Sequence, residues 1–272
     1  MLPIVIIVLP IVVLVVAAFL VFMFASVLRD GPPARSQFDN QLRWRTPITR
    51  YPKLRSWAAK VSESVTQKHL SQRLTKSTPT RLAEEVLQGT TFAIQQIPYL
   101  GIEAGRDACP NRNGGQLGVT VPEVLAIADK IRANPTESNR IHAAAIENIR
   151  LLAKNDRVEA EDPTIVCPLL TVNGDCAVCG LRPVHCRTSL HLCGVVPESN
   201  AETLEEAARQ LGVGVEAGLS QGLDAAGLDG NQYELNSALA VALETADASE
   251  RWSQDEDVFA NCTRYEYSAH AI

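Results

Sequence analysis

Charge is absent from the first 28 residues of this 272-residue chain, and that absence excludes a wholly soluble protein. Period-two alternation is scarcely visible anywhere, which argues against a β-rich fold. No glycine repeat or low-complexity tract occurs, so a collagen-like chain is excluded. Walker-type phosphate loops and the HExxH zinc-protease string are missing too, and no residue marks a cofactor pocket. Seven cysteines in a chain of this length do not make a small disulfide-stapled toxin. What is present is an apolar fraction of 46%, ordinary for a globular protein, and a strong segregation of charge. Residues 29–81 hold 12 basic and 3 acidic residues, leaving 13 basic and 28 acidic elsewhere, so the pI of about 5.5 describes neither part.

The uncharged stretch, residues 1–28, reads as Leu, Ile, Val, Ala, Phe and Met, long enough to span a bilayer as a tilted helix. Pro3 falls in the first turn and Pro10 predicts a kink. Without a basic start or a short core ending in small residues, it reads as an uncleaved anchor rather than a signal peptide. Arg29, Arg35, Arg43 and Arg45 follow it closely. The positive-inside bias therefore predicts a single-pass protein of the inner or plasma membrane with its C-terminal part in the cytoplasm. Residues 29–53 form a basic juxtamembrane linker, and Arg50, Lys53, Arg55 and Lys60 interleave with Trp44, Tyr51 and Trp57. That pattern suits contact with anionic lipid or a solvated tether. The acidic domain beyond it argues against nucleic acid.

Residues 54–272 read as one mainly α domain with an irregular cysteine-rich insertion at about 160–196. Helices are predicted from about 54 to 74, from 80 to 97, from Thr120, and after Pro135 with Ile141, Ala145, Ile149 and Leu152 on one face. Thr120 with Glu123, Ser199 with Glu202 and Asn231 with Glu234 have capping-box spacing. Gly212, Gly214 and Gly218 imitate a dinucleotide fingerprint, but no strand precedes them and close helix packing explains them better.

Five of the seven cysteines, Cys167, Cys176, Cys179, Cys186 and Cys193, fall within 27 positions that also contain His185 and His191. In a reducing compartment such density points to metal ligation, with zinc or iron, including an iron–sulfur cluster, as the ions thiolates suit. The two-residue gap between Cys176 and Cys179 allows both sulfurs to face one ion, and Asn173, Gly174 and Asp175 supply a turn. The remaining gaps match no standard finger or ferredoxin spacing; buried thiols are the competing reading. The histidines read as second-layer donors or exposed side chains. Arg182 and Arg187 read as structural, pairing with acids such as Asp175.

The string CPLL at Cys167, the turn, Cys176 after Asp175, and RPVHCR over residues 182–187 together resemble the YkgJ-type cysteine-cluster family of zinc- or iron-chelating domains. The helical segments from Gly118 and from Tyr233 are similar to flanking helices of that family. The resemblance implies Cys167, Cys176 and Cys186 as ligands, with Cys193 as a fourth. Of the family's Cys-x-x-Cys-Cys group only Cys109 remains, with Arg112 standing at a former thiol position, while Cys179 replaces an aromatic residue. A membrane-anchored metal-binding protein with a structural or metal-handling role is therefore expected. A metal-dependent enzyme related to protein methylation, and a scaffold with a degenerate site whose acidic helices bind a protein partner, are the alternatives.

Overall fold

A computed structural model describes residues 53–97, 117–154, 165–188 and 198–265, all within one unit of the chain. The apolar run at 1–28 and almost all of the basic linker lie outside these residues. Among the described residues no helix is long and apolar enough to cross a membrane.

The expectation of a mainly helical body holds, with eight helices among the described residues. In chain order they are α1 Leu54–Leu70, α2 Thr78–Gln95, α3 Val121–Arg132, α4 Pro135–Lys154, α5 Val184–Thr188, α6 Glu198–Ala225, α7 Leu235–Glu244 and α8 Ala248–Ser253. Two three-residue strands, β1 Gly118–Thr120 and β2 Gln232–Glu234, pair antiparallel with Val119 opposite Tyr233. Both of these side chains are buried, so the short ladder rests on core packing as well as hydrogen bonds.

The longest helix, α6, lies against α1. A Cβ added at Gly218 would stand 2.0 Å from the carbonyl oxygen of Ala59, and one at Gly214 would stand 2.3 Å from that of Arg55. Only glycine permits this approach, so the fingerprint-like glycines are helix-packing positions, as expected from the sequence. On α1 the facing residues are small, with Ala58, Ser62 and Thr66 fully buried.

The first capping box forms as predicted. Glu123 Oε2 accepts from Thr120 N–H at 2.9 Å and from the Thr120 hydroxyl at 2.7 Å, and α3 follows with a nearly continuous buried surface. The box expected at Asn231 and Glu234 does not form. Residues 232–234 are strand, and Glu234 is itself the cap of α7, accepting from the N–H groups of Asn236 and Ser237 at 3.0 and 2.8 Å. The pull of Tyr233 into the core sets that boundary. On α4, Ile141 and Ala145 are buried as expected, and so is Asn148. Its amide donates at 2.8 Å to both the Val166 carbonyl and Asn236 Oδ1, tying the cysteine segment to α7.

Candidate metal centre

The cysteine segment is built from two consecutive tight folds of the chain. Leu170 N–H donates to Cys167 O at 3.1 Å, closing a turn whose second residue is Pro168, a position its fixed φ suits. Leu170 then faces Cys176 in an antiparallel bridge, flanked by Ala177 N–H to Leu169 O at 2.8 Å and Thr171 N–H to Asp175 O at 2.7 Å. Gly174, with φ of 83°, makes the reversal, and the Thr171 hydroxyl accepts from the N–H groups of Asn173 and Asp175. The turn predicted at Asn173, Gly174 and Asp175 thus exists. Its effect is to run the Cys167 arm beside the Cys176 arm.

The second fold places Cys179 at the head of a single 3-10 turn, Cys179–Leu181, and Cys186 in the middle of α5. Pro183 precedes α5, and Glu123 Oε1 accepts the Val184 N–H at 2.8 Å, satisfying one of the amide donors that a helix start leaves without a partner. Arg187 is structural, as expected, but its partners are not acids. Its Nε donates to Arg182 O at 2.8 Å, Nη2 to Gly180 O at 2.6 Å, and Nη1 to the Thr91 hydroxyl on α2. A guanidinium fork matches several carbonyls at once, and here it staples the 3-10 turn to α5 and to α2.

Cys167 and Cys186 are each 5% exposed, Cys176 is half-buried, and Cys179 is exposed. Cys109, Cys193 and His191 lie outside the described residues. Among the described residues no three His, Cys, Asp or Glu side chains gather in a way that could hold an ion. His185 is half-buried and edge-on to Tyr265, with ring centroids 6.5 Å apart, and burial holds its pKa below the ordinary value. Cys262, which no motif singled out, is buried away from this segment with its thiol facing Ser237 O at 3.7 Å; burial pushes its pKa up.

The electrostatics around the thiols are cationic. Arg140 is held charged chiefly by its hydrogen bond with Glu137, with a further contribution from Cys167. Burial lowers the Arg187 pKa, while the charges of Glu123, Cys179 and Cys186 oppose that shift. By donor type alone, Cys167, Cys176 and Cys186 match soft ions such as zinc or iron, but among the described residues they do not converge on one point.

Three glutamates are buried among the described residues; Glu123 and Glu234 are the helix caps met above, and Glu216 escaped the sequence reading. Glu123 is 2% exposed and Glu216, on α6, is 5% exposed. Burial, and then repulsion from Glu123, pushes the Glu216 pKa up to about 8, against a hydrogen bond from Gln232 that lowers it. The signal was its helical spacing from Gly212 and Leu219, which puts an acid on the packed face. Residues 218–222 also spell Gly-x-Ser-x-Gly, but they lie inside α6 against α1 rather than at a strand-to-helix elbow, so Ser220 is no nucleophile by that criterion. A cleft of about 580 Å³ lies between the α1–α2 turn and α8, lined by Arg73, Lys76, Glu250 and Ser253 among others, with no cysteine in its wall.

No protein-family model matches the chain, and neither a curated protein nor a solved structure shows significant similarity to it.

Proposed function

We propose that this chain is a membrane-anchored metal-binding protein in which Cys167, Cys176 and Cys186 contribute to the ligand set of zinc or an iron–sulfur centre, although these three do not by themselves gather about one ion among the described residues. Cys193 or Cys109 completes the set. The observation that carries the reading is the hairpin at Gly174, which runs the Cys167 arm beside the Cys176 arm, with Arg140 and Arg187 in electrostatic range of the cysteine segment. The likeness of the segment 167–187 to cysteine-cluster chelating domains supports it. Closed thiolate coordination leaves no position for a substrate water, so the ion's part is to hold together a polar segment and to retain metal. The anchor in this reading is the apolar run at 1–28, and the arginines after it support a cytoplasmic, reducing side for the thiols.

Anaerobic purification of the full chain in detergent, followed by elemental analysis and absorbance spectroscopy, tests the reading. Stoichiometric zinc, or iron with a broad iron–sulfur band, is expected. Cys167→Ser and Cys186→Ser each remove it. A metal-free wild-type protein overturns the proposal, as does strong periplasmic activity of a reporter fused to the C-terminus.

A further inference from the structure

The outer face of α1 carries cations, most of which make no ion pair among the described residues. Lys53, Lys60 and Lys68 are exposed and, with Ser64, fall on one side of the helix by its 100° step, the side that also carries half-buried Trp57. Glu63 stands at the edge of this face and is engaged by the Gln67 amide at 3.0 Å. Just past the end of α1, Arg73 and Lys76 are exposed in the turn, and Arg81 is exposed in the first turns of α2. Lys68 shares Glu85 at 3.6 Å, whereas Lys53, Lys60, Arg73, Lys76 and Arg81 make no ion pair among the described residues. Beyond residue 81 the chain is predominantly acidic, so this positive strip is a segregated feature rather than part of a mixed surface.

We propose that the outer face of α1, extended by the α1–α2 turn, lies on the anionic headgroups of the membrane that holds the apolar run. This rests on the anchored reading above. Three features favour a bilayer over other polyanions. The partner is already nearby: in the anchored reading only residues 29–53 separate the apolar run from α1, so the two meet at high effective concentration. The linker adds positive charge of its own, the complement of an anionic leaflet. Nucleic acid, by contrast, would meet the acidic remainder of the domain.

The test uses the full chain in vesicles of phosphatidylcholine alone or with about one third phosphatidylglycerol, carrying a photo-crosslinking amino acid in place of Ser64. A second protein carries it in place of Ile146, exposed on α4, as a control position. Lipid adducts at position 64 are expected to rise at least fivefold with anionic lipid, to fall in 0.5 M salt, and to disappear in the triple variant Lys53→Glu, Lys60→Glu, Lys68→Glu. Position 146 stays unlabelled throughout. Equal labelling in neutral vesicles overturns the proposal, and so do adducts to nucleic acid or to a second copy of the chain in place of lipid. Extraction of the protein by alkaline carbonate defeats the anchored reading itself. Retention without lipid adducts at position 64 defeats only the contact.

Discussion

Glu123 Oε1 accepts the amide hydrogen of Val184 at 2.8 Å, joining the start of α3 to the start of the helix that carries Cys186. The other carboxylate oxygen serves Thr120 N–H and Oγ1. Glu123→Ala leaves three buried donors without an acceptor, at a cost of about 3–5 kcal/mol. It also loosens α5, so Cys186 should react with maleimide many-fold faster in native protein. Urea denaturation and thiol-modification rates check this. A change below about 1 kcal/mol, with Cys186 still protected, would show that the linkage does not organise the segment.

Glu216 predicts an opposite dependence on pH from that of a paired carboxylate. Its native pKa of about 8 exceeds the ordinary 4.5, so the native state holds a proton that the unfolded chain releases. The resulting contribution to stability is complete below about pH 4.5, declines as pH rises, and is gone once pH passes about 8. The full effect is about 5 kcal/mol at most. Glu216→Gln removes it. Urea titrations at several pH values should show the variant gaining on wild type between pH 4.5 and 8, and a constant difference would refute the assignment.

Gly218→Ala drives a methyl group into the Ala59 carbonyl of α1 and should cost about 3 kcal/mol or more, by separation of the two helices. Gly180→Ala meets nothing within 4 Å and should stay within about 0.5 kcal/mol of wild type. Thermal melts of the pair provide the comparison; similar losses in both would deny the packing argument.

Arg187→Lys keeps the charge and loses the fork. Three acceptors on separate parts of the chain cannot be served by one ammonium, so about 2 kcal/mol of stability and several degrees in Tm should go. A melt equal to wild type would show that charge alone suffices at this position.

If the thiols hold an ion, treatment with a strong chelator under reducing conditions should raise the number of rapidly titrating thiols by at least three and lower Tm. A thiol count unchanged by the chelator would speak against ligation.

Local rules carried far into this fold. The starts of α1 and α3, the turn at Gly174 and the glycine seam of α6 all follow from periodicity, capping or sterics acting within a few residues. Where the sequence reading erred, a distant partner had intervened. Tyr233 pairs with Val119 and moves the start of α7 from Asn231 to Leu235; the end of α1 at Leu70 rather than Leu74 is the exception, closed by a local bond from Ser71 N–H to Gln67 O. Arg187 chooses carbonyls and Thr91 over Asp175 because α2 and the 3-10 turn converge on it.

The sequence by itself determined the helical class, the segregation of charge, and the density of cysteine in one short stretch, because composition and spacing are properties of neighbouring residues. Tertiary structure alone decided that Cys167 and Cys186 are buried while Cys179 is exposed, and that Glu123 and Glu216 share one interior. Burial depends on which surfaces meet, and those surfaces come from segments far apart in the chain.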